Sequence, residues 1–115
     1  MAQAETKQLA ALVGRAIARQ RSRSGLTQEQ VAERLGVGNE AVSRIERGIV
    51  MPNIERLVEL ATIFGCETAD LLTEGSSRSE DQARRIYALL SRLEVADRDL
   101  VMDLVERLVG RLDRG

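Results

Sequence analysis

The chain has 115 residues, 30 % of them charged and 43 % hydrophobic, and a formal net charge of −1. That length suits one domain, or one small domain with an appendage; the apolar content is too high for a wholly disordered chain, and no apolar run approaches the roughly 18 to 20 residues of a membrane span. Histidine is absent and Cys66 stands alone, which excludes His-based catalytic triads and an internal disulfide and leaves only carboxylates and one thiol for any metal.

The opening Met1-Ala2-Gln3-Ala4-Glu5 lacks the basic start and apolar block of a secretory leader, so a cytoplasmic protein in a reducing compartment is expected. Ala, Leu, Arg, Glu and Gln then dominate, and the apolar spacing is helical throughout. Leu9, Leu12, Val13, Ala16 and Ile17 make one face of a first helix that ends before Gly25. Val31, Ala32 and Leu35 face inward from a short second helix stopped by Gly36. Val42 and Ile45 do the same for a third, stopped by Gly48. Ile54, Leu57, Leu60, Ala61 and Phe64 line a fourth, stopped by Gly65, and Leu71 and Leu72 close a fifth before Gly75. Thr27-Gln28-Glu29-Gln30 has the form of a capping box, flanked by Leu26 and Val31 as a hydrophobic staple, and Asn53 after Pro52 is placed to cap the fourth helix.

Glu74-Gly75-Ser76-Ser77-Arg78-Ser79 is a polar break that reads as a linker. Beyond it Ala83, Ile86, Tyr87, Leu90 and Leu93 recur at helical spacing, as do Leu100, Val101, Leu104, Val105, Leu108 and Leu112. Asp97 and Asp99 near the start of this last helix, and Arg107, Arg111 and Arg114 towards its end, match the helix dipole. The near-neutral total hides a gradient. From Arg15 to Arg56 there are eight arginines against five glutamates, and from Leu57 onward eight arginines against twelve acids. One end can face a polyanion and the other cannot.

In Leu26–Gly48, two helices of about nine residues are joined by a tight turn through Gly36-Val37-Gly38, which sets them about 90–120° apart. Small Ala32 lets the two backbones approach, and the third helix keeps Asn39, Glu40, Ser43 and Arg44 on its outer face. A helix of that diameter fits the major groove of B-DNA, where each base pair shows its own donor and acceptor pattern. The glycines here make a turn and not a phosphate-cradling loop, since no strand precedes them and no Gly-Lys-Ser/Thr follows.

Gly25-Leu26-Thr27-Gln28, Val31-Ala32, Leu35-Gly36-Val37, Val42-Ser43-Arg44-Ile45-Glu46-Arg47-Gly48, Pro52 and the Leu57/Leu60/Ala61 face agree in register over five helices. On these residues the segment from about Ile17 to Leu72 resembles the Cro/phage-repressor helix-turn-helix family, also called the xenobiotic-response-element (XRE) family of bacterial regulators. The resemblance implies an all-α fold with a five-helix, λ-repressor-like DNA-binding domain over residues 6–73; the polar break and the helical spacing beyond it add a linker over 74–79 and a C-terminal helical hairpin over 80–113. It also implies that Gln28 donates to a phosphate at the start of the second helix, and that Gly38, Asn39, Glu40 and Arg44 lie where bases are read, with Ser43 beside them. Arg44 suits guanine, Asn39 adenine and Glu40 the cytosine amino group. Arg47 would reach a phosphate at the far end, and Arg21 and Glu46 would form a buried structural pair. The sequence departs from the family at Gly38, where relatives often carry Ser or Thr, at acidic Glu40, and at apolar Ile49-Val50-Met51.

Other features have plainer readings. Cys66, after Phe64-Gly65, reads as core packing ahead of a thiol sensor. Arg19 and Arg23 read as a solvated face ahead of a phosphate clamp. Ile49-Val50-Met51 reads as a covered core edge ahead of an exposed partner patch. Residues 79–112 are too few to bury a core alone, so their apolar faces are expected to meet a second copy, with packing inside a monomer as the alternative. A two-fold dimer would set its third helices about 34 Å apart in successive major grooves. The expectation is therefore a cytoplasmic bacterial transcription regulator, most often a repressor, that binds a palindromic operator as a homodimer. It needs no cofactor or metal and performs no catalysis. The alternative is a helical protein-interaction module, antitoxin-like or adaptor, without direct DNA readout.

Overall fold

The computed structural model describes residues 3–114; the leader reading at Met1 and Ala2 lies outside them. Among the described residues there are seven helices and no strand: α1 (Gln3–Arg23), α2 (Gln28–Leu35), α3 (Asn39–Glu46), α4 (Ile54–Phe64), α5 (Thr68–Thr73), α6 (Ser79–Leu90) and α7 (Val95–Asp113). None is long and apolar enough to cross a membrane. The chain divides into two compact units, one running through Asp81 and the other starting at Gln82.

The first unit holds α1 to α5. The start of α2 is fixed as the capping box requires: Thr27 Oγ1 accepts from the Gln30 amide at 3.1 Å, and Gln30 Oε1 accepts from the Thr27 amide at 2.8 Å. Its end is fixed by Gly36 at φ 72°, a left-handed conformation that costs other residues roughly 1–2 kcal/mol. Asn53 caps α4, its side chain accepting from the Arg56 amide at 2.8 Å. These stops keep the helices short, with α1 packing on α3, α4 and α5, α2 on α3 and α4, and α4 on α5. The core between them is built from Val13, Ile17, Val31, Val42, Leu57, Leu60 and Leu71, with small Ala32 and Ala61 at close approaches. Each large aliphatic side chain buried there stabilises the fold by about 1.5–3 kcal/mol.

Four sequence expectations need correction. Ile54 is 77 % exposed, because as the first residue of α4 its side chain extends past the core instead of into it. Leu72 is also exposed, and Leu71 alone is the buried leucine of α5. Ile49, Val50 and Met51 do not form a covered edge: they are exposed, while Pro52 behind them is buried. The amides of Ile49 and Val50 both donate to the Arg44 carbonyl, at 3.0 and 3.4 Å, turning the loop back on the end of α3. Arg19 and Arg23 are not a merely solvated face, since their Nη1 atoms lie 3.3 and 3.1 Å from Glu74 Oε1. Glu74 is only 5 % exposed and also accepts from Gln20 Nε2 at 3.3 Å. This cluster ties the end of α5 to α1. Residues 74–79 accordingly fall inside the first unit, where Ser76 Oγ donates to buried Asp81 at 2.7 Å.

Cys66 is half-buried against the core. Burial pushes its thiol pKa up, and the carboxylates of Asp70, Glu74 and Glu67 add to the rise by opposing a thiolate. We expect Cys66 to alkylate more slowly at neutral pH than a free exposed thiol. A rate equal to that of a small free thiol, measured in the folded protein, would contradict this placement.

In the second unit no described residue from 82 to 114 is buried. Its helices stand where the hairpin was expected, but they enclose no core. Along α7, Val101 and Val105 are half-buried and Leu100, Leu104, Leu108 and Leu112 are exposed.

Candidate nucleic-acid interface

The α2–turn–α3 unit positions every side chain singled out in the sequence for a nucleic-acid contact. Eight residues make α3 a rod of about 12 Å. Val42 and Ile45 anchor its inner side in the core, and Asn39, Glu40 and Arg44 are exposed on the outer side with Ser43 half-buried beside them. Gly38 takes the N-cap position with extended dihedrals and supplies no side-chain cap. The first amides of α3 are thus left without the hydroxyl that Ser or Thr would offer them.

The rod is braced from behind by one carboxylate. Glu46 Oε2 accepts from Arg21 Nε at 2.6 Å, and Glu46 Oε1 accepts from Arg21 Nη2 at 3.1 Å. Arg21 Nη1 donates to the Leu26 carbonyl at 2.9 Å. Gln28, the first residue of α2, donates through Nε2 to Glu46 Oε1 at 2.9 Å. Three helices and the entry to α2 therefore meet at the end of α3. The hydrogen bond it donates to Glu46 holds the Arg21 guanidinium pKa above its ordinary value; burial opposes the rise and the charge of Glu46 adds to it. A cation whose folded pKa is raised keeps its full stabilising effect below its unfolded pKa, so alkali leaves this half of the brace intact until far above neutral pH.

The outer face has a different electrostatic character. Arg47 Nη2 lies 2.8 Å from Glu40 Oε1, bridging two turns of α3, and both side chains are largely exposed. Such a pair contributes about 0–1 kcal/mol and exchanges readily for other partners. Arg44 has no ion-pair partner among the described residues. It borders a groove of about 590 Å³ between α3 and the α3–α4 loop, together with Leu35, Val37, Glu40, Met51 and Arg56.

Asn39, Glu40, Ser43 and Arg44 thus share α3, Gly38 and Arg47 cap its two ends, and Gln28 is joined to its last turn through Glu46. Sequence reading missed Arg56, which lines the same groove as Arg44. Its position in the first turn of α4, three residues past the Asn53 cap, was the available signal. It also missed Gln28 as part of the Glu46 brace, because an 18-residue separation leaves no local pattern.

Residues 16–71 match the family model HTH_3, a helix-turn-helix. The uncharacterized HTH-type transcriptional regulator y4dJ of Sinorhizobium fredii is 42 % identical over 62 residues, covering 54 % of this chain and 80 % of that protein. The cryptic phage CTXphi transcriptional repressor RstR of Vibrio cholerae is 26 % identical over 86 residues, covering 75 % of this chain and 78 % of RstR. Among solved structures, the clp gene regulator ClgR of Corynebacterium glutamicum superposes with a TM-score of 0.56 at 29 % identity, covering 59 % of this chain and 88 % of that one.

Proposed function

Because this chain belongs to the HTH_3 helix-turn-helix family of transcriptional regulators, of the XRE or Cro/C1 type, we propose that it is a sequence-specific repressor that binds an inverted-repeat operator as a dimer, with α3 in the major groove. The family is non-enzymatic, and the proposal assigns the chain no catalysis. The observation that carries it is the outer face of α3, where exposed Asn39 and Arg44, the latter without an ion-pair partner among the described residues, project from a rod braced by Arg21, Glu46 and Gln28. A rigid rod with free planar donors is what base readout requires, since each bidentate pair discriminates by about 1–3 kcal/mol only when its geometry is held.

In this reading Arg44 takes guanine, Asn39 adenine and Glu40 a cytosine amino group, with Ser43 beside them. Gly38 lets the backbone at the start of α3 come close to the DNA. Arg47 leaves Glu40 for a phosphate, an exchange made cheap by the exposure of that pair. Gln28 has a second amide hydrogen for a phosphate while the first stays on Glu46. The repressor sign draws on the name of RstR, and the dimer on the uncovered apolar face of α7.

Selection from random duplexes is expected to recover a palindrome with half-sites one helical turn apart. Affinity for it should fall steeply with salt, with a log–log slope of about −0.9 per phosphate neutralised. Arg44→Ala should cost about 1–3 kcal/mol and relax preference at one base pair, and Gln28→Ala should weaken all sequences alike. Equal losses on every sequence from Arg44→Ala would remove that residue from base readout. The interaction-module reading draws on exposed Ile49, Val50 and Met51 beside the reading helix; failure of every duplex pool to bind would favour it.

A further inference from the structure

We infer that two copies of α7 pair antiparallel, with Leu104 on the two-fold axis and Asp97 of each copy opposite Arg111 of the other. The inference rests on the C-terminal dimer proposed above and adds its orientation. Asp97, Val101, Leu104, Leu108 and Arg111 follow one another at spacings of four, three, four and three residues, the repeat of a two-helix seam. On a helix these five positions fall within a stripe about 80° wide. The middle of the stripe is apolar and open: Leu104 is 56 % and Leu108 59 % exposed, and Val101 is half-buried. Its two ends carry opposite charges, and neither Asp97 nor Arg111 has an ion-pair partner among the described residues. Arg107 and Asp103, 3.0 Å apart, satisfy each other within the helix.

That distribution decides the orientation. A parallel pair would set Asp97 against Asp97 and Arg111 against Arg111, two like-charge contacts at the ends of a short seam. The antiparallel pair converts both ends into Asp97–Arg111 contacts and stacks Val101 on Leu108 on each side of a central Leu104 pair. It also sets the two starts of α7 about 27 Å apart, at 1.5 Å per residue, where a parallel pair would hold them about 10 Å apart.

The test is sedimentation equilibrium of the full chain and of four variants. Asp97→Arg and Arg111→Asp should each raise the dimer dissociation constant about tenfold, since each exchange puts like charges at both ends of the seam. The double exchange Asp97→Arg/Arg111→Asp should restore the wild-type value. Leu104→Asp should give monomers. Thermal melting of each variant, unchanged in its main transition, shows that the first unit stays folded. On a Cys66→Ser background, Val101→Cys chains should not crosslink to one another, but should crosslink to Leu108→Cys chains. A dimer indifferent to both single exchanges, or Val101→Cys chains that crosslink among themselves, would overturn the antiparallel order and leave the C-terminal dimer standing. A monomeric wild-type chain, or a dimer indifferent to Leu104→Asp, would overturn the C-terminal dimer and this seam together.

Discussion

Replacing Glu46 by alanine is expected to destabilise the first unit by about 3 kcal/mol, which for a domain of this size lowers the melting temperature by about 15 °C. Glu46 is 6 % exposed and accepts from Arg21 twice and from Gln28 once. Its removal leaves the Arg21 guanidinium, itself only 20 % exposed, with the Leu26 carbonyl as its one remaining acceptor in this cluster. The cost is dominated by that stranded charge and not by the lost attraction, because a buried pair roughly balances its own desolvation. Two comparisons separate these contributions. Arg21→Met/Glu46→Leu should recover a large part of the loss, since it removes the need to bury a charge at all. Glu40→Ala breaks an ion pair of similar length on the outside of α3, and should change stability by less than about 0.5 kcal/mol. Thermal unfolding of the four proteins checks the order. If Glu46→Ala melts within a degree or two of wild type, the brace is screened by water and does not hold α3. DNA affinity should fall with stability in Glu46→Ala, because the same carboxylate orients Gln28.

How much of this was legible in the sequence depends on the range of each interaction. The start and stop of α2 were legible in full, because Thr27, Gln30 and Gly36 act within one turn of their own backbone. The outer face of α3 was legible because Val42 and Ile45 fix its inner side, which leaves Asn39, Glu40 and Arg44 nowhere to point but outward. The Arg21–Glu46 pair spans 25 residues and came only from the family resemblance. The Glu74 cluster spans up to 55 residues and had no signal at all, so the shared partner of the exposed Arg19 and Arg23 went unread. Periodicity also cannot tell an apolar face that is covered from one that is not. Ile54 keeps the spacing of the α4 core and Ile49-Val50-Met51 has the composition of one, yet all four are exposed. In α7 the same ambiguity concerns a whole helix.

The least legible contact carries the other large effect. Gly14 sits in the middle of α1, where Gly→Ala ordinarily stabilises a helix by about 1 kcal/mol. Here the sign should reverse. A β-carbon at Gly14 would stand 2.5 Å from the Ile45 carbonyl oxygen and 2.7 Å from that of Glu46. Both obstacles are backbone in the last turn of α3, so no side-chain rotation relieves them, and α1 and α3 must separate. Overpacking of this kind costs about 1–3 kcal/mol, and because both obstacles are backbone the upper end applies; after subtracting the helix-propensity gain of about 1 kcal/mol we expect Gly14→Ala to lose up to about 2 kcal/mol. Gly110 provides the matched control: it lies inside α7, and a β-carbon there meets nothing within 4 Å. Gly110→Ala should therefore show the ordinary stabilising sign in its own unit, read as helix content by circular dichroism. Because α3 is displaced at its last turn, Gly14→Ala should also shift the Arg21–Glu46 brace and weaken binding to a selected operator, although Gly14 itself is remote from the outer face. An increase in melting temperature for Gly14→Ala would mean that α1 and α3 do not approach this closely, and the placement of α3 against α1 would have to be rebuilt.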